Sequence, residues 1–170
     1  MSGGIVSDAT PLIYLAKAGR IGLLRTVFGR VYIPEEVKVE VVDRGKQLGE
    51  ADSYIVERAI NDDDGWLKVL SVEVLETPIR LEPGEAAVLS LAKKLGLREV
   101  LMDEVSARAT ARLLDWTPRG TIFVLLRALE KKEMNLDEFL RVLNQMIGEG
   151  FRLREEVHIE AVREARRITG

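Results

Sequence analysis

Two aspartates in this sequence each close a short apolar run: Asp8 ends the stretch IVSD and Asp103 ends EVLMD. Such runs read as buried strands, and in open α/β sheets the functional crevice lies beyond the carboxyl ends of the strands. If the two strands are neighbours, their carboxylates converge. Glu85, in the first turn of a helix opened by Pro83 and Gly84, reaches the same rim if that helix follows a strand, and Glu40, along PEEVKVEVV, can point the same way. Converging carboxylates repel one another, and the repulsion is relieved by proton uptake or by a divalent cation. A donor set made only of oxygen selects a hard ion, Mg2+ or Mn2+, which can activate water and neutralise the charge that builds on a phosphate under in-line attack. Each acid also has a purely structural reading: Asp8 in an Asx turn, Glu85 as partner of a helix dipole, Glu40 on a solvated helix face, Asp103 as the cap of the following helix.

Other chemistries find little support. The chain has no cysteine, which removes thiolate zinc sites and thiol nucleophiles, and its one histidine, His158, lies in a charged helical segment with no nucleophile-elbow serine to serve. The run NDDDG resembles a calcium loop, but placing Gly65 at the invariant sixth position puts Ile60 at the first ligand and Ser71 at the twelfth. Neither a Walker A loop nor GxGxxG is present, and RGKQ lacks both the upstream glycine and the following hydroxyl.

The elements that must position these acids alternate between strand and helix. Ile5 and Val6 are β-prone, and Thr10 before Pro11 is expected to cap a helix ending near Gly19. A second short helix is expected over Ile21 to Phe28, a strand over Val31 to Ile33, and a helix opened by Pro34, with a helical continuation from Gln47 to Ile60. WLKVLSV alternates as a third strand, EPGEAAVLSLAKKLG reads as a helix stopped by Gly96, EVLMD as a strand, Ser106 to Leu114 as a helix and Asp115 to Arg119 as a last strand. GTIFVLLRALEKKE, NLDEFLRVLNQMIGEG and REEVHIEAVREARRI complete three helical segments. Strand and helix in alternation imply an α/β fold with a central, mainly parallel sheet covered on both faces. With 170 residues, 46% apolar, and no linker or repeat, one domain spanning 1–170 is expected, with the helical part 119–170 packed on the same core.

A formal charge of -3 and a pI near 5.4 exclude a generic polycation for nucleic acid. A local basic rim is still available, since Arg108, Arg112 and Arg119 cluster near Asp103 in sequence and Arg163, Arg166 and Arg167 lie in the last helix, where Glu160 and Glu164 are interleaved. No apolar stretch approaches the roughly 20 residues of a membrane span. With no basic leader before Asp8, the chain is expected to be cytoplasmic, with no membrane partner. The apolar segments IGLLRTVF and IFVLLRAL suggest a homodimer.

Five blocks in order, VSDATPLIYLAKAG, IPEEVKVEVV, EPGEAAVLSLAKKLG, VLMDEVSARATA and RGTIFVLLRALEKKE, resemble the successive blocks of a PIN domain over nearly the whole chain, closest to a subgroup of small prokaryotic PIN-like proteins. The resemblance implies a three-layer fold and a Mg2+- or Mn2+-dependent ribonuclease, often the toxin paired with an antitoxin protein, with RNA as substrate and dimers common. It makes Asp8, Glu40, Glu85 and Asp103 the four acids in turn, with Asp8, Glu85 and Asp103 toward the metal. Thr10 matches the hydroxyl that follows the first acid, Thr121 the threonine after the last strand, and Arg108 an arginine beside the fourth acid. Met102 stands where a small hydroxyl residue is common, and Glu104 where a second Asp is usual. These departures keep an alternative in play, a catalytically inactive interaction or scaffold module.

Overall fold

The computed structural model describes residues 3–170. Its centre is a five-stranded, all-parallel sheet in the order β3-β2-β1-β4-β5, built from β1 (Ile5–Ser7), β2 (Val31–Pro34), β3 (Leu67–Leu70), β4 (Glu99–Leu101) and β5 (Thr117–Arg119). Registers pair Ile5 with Val31 and Val6 with Val100, so β1 is the innermost strand. Successive strand residues point to opposite faces, yet Ile5, Val6 and Ser7 are all at 0% exposure. Both faces of the sheet are therefore covered, the three-layer α/β arrangement expected from alternation of strand and helix.

The covering helices are α1 (Ala9–Lys17), α2 (Gly22–Phe28), α3 (Glu35–Lys38), α4 (Gly45–Gln47), α5 (Ala51–Ile60), α6 (Pro83–Leu95), α7 (Val105–Leu113), α8 (Thr121–Glu130), α9 (Leu136–Gly148) and α10 (Glu155–Thr169). Helix α6 packs across β1, β2 and β4, and α1 packs on α5. Val124, Leu125, Phe139, Leu143 and Ala165, from the last three helices, belong to the same buried cluster as Ile5, Val6 and Val100.

Four local expectations change. Asp8, not Thr10, caps α1: its extended backbone and short carboxylate let Oδ1 accept the Ala9 N–H at 2.9 Å. Pro11 consequently lies in the first turn, where its missing donor is not needed. The helix opened by Pro34 widens into a π-helical stretch, Val39–Arg44, and the run Gln47 to Ile60 is interrupted at 48–50, where Gly49 takes a left-handed φ of 74°. The apolar segments of α2 and α8 are turned toward each other and the core: Leu24, Val124 and Leu125 are fully buried and the Phe28 and Phe123 rings stack at 6.4 Å. Their apolar character is used inside the chain, so it no longer argues for a dimer. The large apolar side chains most open to solvent on α7 are Val105, at 70% exposure, and Leu113, at 73%. Among the described residues, no helix is long and apolar enough to cross a membrane.

Candidate active site

The chain leaves β1 toward β2 on one side, while β4 joins β1 on the other, so the carboxyl ends of β1 and β4 flank the point where the strand order reverses. Asp8 follows β1 directly, and its amide donates to the Leu101 carbonyl of β4 at 2.9 Å. Asp103 lies two residues beyond Leu101. The two strand-end aspartates are thus brought to one rim by parallel pairing.

Beside Asp8 opens a cleft of about 740 Å³, lined by Thr10, Glu40, Glu85 and Glu104 and by three acids that the sequence reading passed over, Glu35, Glu36 and Glu82. Seven carboxylates, counting Asp8, share this lining with one cation, Arg44. Gly84 makes room between the acids: a Cβ built on it would lie 3.8 Å from Asp8 Oδ1 and 4.0 Å from Glu40 Oε1. Glu35 and Glu36 were recoverable from the sequence, because Glu36 is one helical turn before Glu40 and both follow the strand that Pro34 ends.

The electrostatic consequence falls on Asp8. Burial away from water pushes its carboxyl up to about 6, the Ala9 N–H works against that rise, and the neighbouring charges of Glu40, Glu85 and Asp103 add to it. Glu85 is also pushed up, first by burial and then by Glu82 and Glu104, although its Oε1 accepts the Glu82 N–H at 3.2 Å in a capping box that starts α6. Its dipole-and-cap reading therefore holds alongside its place in the cleft.

Asp103 differs. It is not part of the cleft lining, and both of its oxygens are taken: Thr121 donates its N–H to Oδ1 at 2.8 Å and its hydroxyl to Oδ2 at 2.6 Å. Thr121 is fully buried, so it supports Asp103 instead of facing solvent. Burial raises the Asp103 carboxyl, while the two Thr121 bonds and the nearby Arg108 charge oppose that. Arg108 donates to the Met102 carbonyl at 3.3 Å, and its own proton affinity is lowered by burial and by the Arg112 charge. A Cβ on Gly120 would lie 2.6 Å from Arg108 Nη1 and 3.1 Å from Asp103 Oδ1, so this glycine permits the close approach. Met102 has its side chain in the core at 1% exposure, which explains an apolar residue before the fourth acid. Glu104 is exposed at the start of α7, makes no side-chain cap bond, and contributes its charge to the cleft instead.

Among the described residues, no group of three or more acids is close enough to enclose a bare ion. The donors present fit a hard, hydrated cation, because such ions keep several waters and need only one or two carboxylates. Asp8 and Glu40 both face Gly84 in a cleft with room for water.

A family model described as a PIN domain matches residues 4–167. No curated protein and no solved structure matches the chain.

Proposed function

We propose that this chain, which belongs to the PIN-domain family, is a metal-dependent endoribonuclease that hydrolyses RNA phosphodiester bonds in the acid-lined cleft. The nuclease-type fold comes with the family; Mg2+ or Mn2+ and RNA are our reading of this site. The observation that carries it is the crowding of carboxylates at the sheet's reversal point around Asp8, whose carboxyl is held above the ordinary range by burial first and by the neighbouring acids second. Asp8 and Glu40 would hold the ion, with Glu85 beside them. A divalent ion there supplies an acidified water and a counter-charge for the phosphate.

The chain's own contributions are separate. The Ala9 N–H orients the Asp8 carboxylate, and the capping box holds Glu85 at the cleft wall. Thr121 and Arg108 fix Asp103 behind the rim, where its negative charge raises the proton affinity of Asp8. Arg108 and Arg112 supply positive charge on the β4–β5 side, where Arg119 is paired with Glu99, and a polyanion needs such charge in order to approach an acidic centre.

The test is cleavage of labelled single-stranded RNA by purified protein in Mg2+ or Mn2+, against EDTA and against Asp8→Asn. Intact RNA in both metals would refute the proposal. A second reading, a non-catalytic interaction module, draws on the fact that Thr121 already occupies both Asp103 oxygens. It requires intact RNA together with a stable protein partner. The proposal extends to an antitoxin protein as inhibitor, tested by co-purification with the product of the adjacent reading frame. It extends also to a second copy of the chain docking through Val105 and Leu113, tested by light scattering for species above 19.0 kDa.

A further inference from the structure

Among the described residues, Arg44 is the one cation in the lining of the acidic cleft. Its neighbours along the chain are engaged: Lys38 holds Asp43 at 3.0 Å, and Lys46 holds Glu57 at 2.6 Å. Among the described residues, the exposed Arg44 guanidinium pairs with nothing, although seven carboxylates line the same cleft. Its position comes from the backbone. Arg44 closes the π-helical stretch Val39–Arg44, and both Glu40 and Arg44 of that stretch line the cleft. Wide turns of this kind inside helices are frequent at functional sites.

The topology adds a second observation. Arg44 follows β2, whereas Arg108 and Arg112 lie on α7, which follows β4, so cations stand on both sides of β1 and its Asp8; Arg119, which ends β5, is held by Glu99 at 2.7 Å. A chain of phosphates crossing the rim would meet positive charge before and after the acids. A guanidinium fork matches a phosphate with two parallel hydrogen bonds, and one not already held by a carboxylate needs no partner broken to do so.

We propose that Arg44 is a substrate-positioning residue that binds a backbone phosphate of the RNA strand on the β2 side of the cleft. The inference rests on the ribonuclease reading and deepens it. Arg44→Ala is expected to raise KM for RNA about tenfold, equivalent to about 1.4 kcal/mol, with kcat held within about twofold. The phosphate contact is made equally in ground state and transition state, which is why KM alone moves. Arg44→Lys, which keeps the charge but not the fork, should recover part of the loss.

Binding separates this inference from the reading beneath it. In the Asp8→Asn background, which removes cleavage and leaves Arg44 in place, a labelled oligouridylate should bind about tenfold more weakly once Arg44 is replaced by Ala. The slope of log affinity against log salt should become shallower by about 0.7, one phosphate contact on a single strand. If wild type cleaves RNA and Arg44→Ala has the same KM, or loses kcat at unchanged KM, Arg44 has no positioning role and the nuclease reading stands. If wild type cleaves nothing, the nuclease reading falls, and equal oligouridylate affinity with and without Arg44 overturns this inference too.

Discussion

Replacing Asp8 by Asn is expected to stabilise the metal-free protein at neutral pH and not at acid pH. In the folded chain the Asp8 carboxyl titrates at about 6, against 3.8 for an unperturbed aspartate. Between those two values the folded state holds a proton that the unfolded state has released, so stability falls as pH rises through that window. Above it the full effect is present, and at about 1.4 kcal/mol per pH unit it is about 3 kcal/mol of destabilisation. Asparagine carries no charge, and its amide oxygen can take over the Ala9 N–H, since Asn and Asp cap helices about equally well. It forgoes the favourable charge at the α1 N-terminus, worth up to about 1 kcal/mol. The net gain at pH 7 is then about 2 kcal/mol, or about 4–8 °C in Tm for a chain of this length. Below pH 4 the gain disappears. Thermal melts followed by circular dichroism in EDTA, from pH 4 to pH 8, read the difference between the two proteins directly. With Mn2+ at a hundred times its Kd, wild type should gain about 2.7 kcal/mol and Asp8→Asn less, narrowing or reversing the order. A variant no more stable than wild type at pH 7, or a difference that does not change with pH, would refute the electrostatic reasoning.

The opposite outcome is expected at the fourth acid's support. Thr121→Val removes a buried hydroxyl that donates to a carboxylate at 2.6 Å, and urea denaturation should show a loss of about 1.5–3 kcal/mol; a loss under about 0.5 kcal/mol would mean that water replaces the hydroxyl. Gly84→Ala should raise Tm slightly, because alanine in a helix is favoured over glycine by about 0.5–1 kcal/mol and its methyl fits at 3.8 Å and 4.0 Å from the two carboxylates. The same methyl occupies water space between Asp8 and Glu40, so Mn2+ affinity by calorimetry should fall; unchanged affinity would move the cation elsewhere. Gly120→Ala is unstrained in backbone terms, with φ at -107°, but sets a Cβ 2.6 Å from the Arg108 guanidinium. It should displace that guanidinium, the far end of a flexible side chain, and so lower RNA cleavage, and full activity in the variant would show that the placement of Arg108 is not needed.

The strands and most helices were legible because their signals are local. Buried runs such as IVS and EVL lie between glycine-bounded helices, and the alternation alone implies a parallel sheet. What escaped were features of ring size and capping that a 3.6-residue period does not encode. Val37 and Val41 fit one face of an ordinary helix, and burying Val42 beside Val41 is no different from burying Leu23 beside Leu24 in α2, so nothing in PEEVKVEVV marked the wider turn. The misplaced cap has a similar origin: Thr10 and Asp8 are both good caps, and only the extended backbone at Asp8, set by its position straight after β1, selects between them. The apolar α2 and α8 suggested an external partner because nothing in either segment says that the two helices, roughly a hundred residues apart in sequence, meet each other.

At the site, sequence reasoning found the acids but not their partners, and the partners separate their roles. Asp8 and Asp103 carry the same signal, an acid closing an apolar run, and both sit at the carboxyl end of a strand. Their surroundings differ because of β5. By pairing with β4, that strand delivers Gly120 and Thr121 to Asp103, whose two donors oppose the rise that burial causes. Asp8, on the innermost strand, receives one backbone N–H and otherwise meets acids. Burial raises both carboxyls; like charges add to the rise at Asp8, whereas two donors oppose it at Asp103. Neutralising either aspartate should therefore relieve a charge held away from water and stabilise the metal-free protein at neutral pH in EDTA. Because the Asp103 charge is itself among the causes of the Asp8 shift, Asp103→Asn should also lower the pH at which Asp8 titrates, a coupling that nuclear magnetic resonance of the Asp8 carboxyl can read in the single variant.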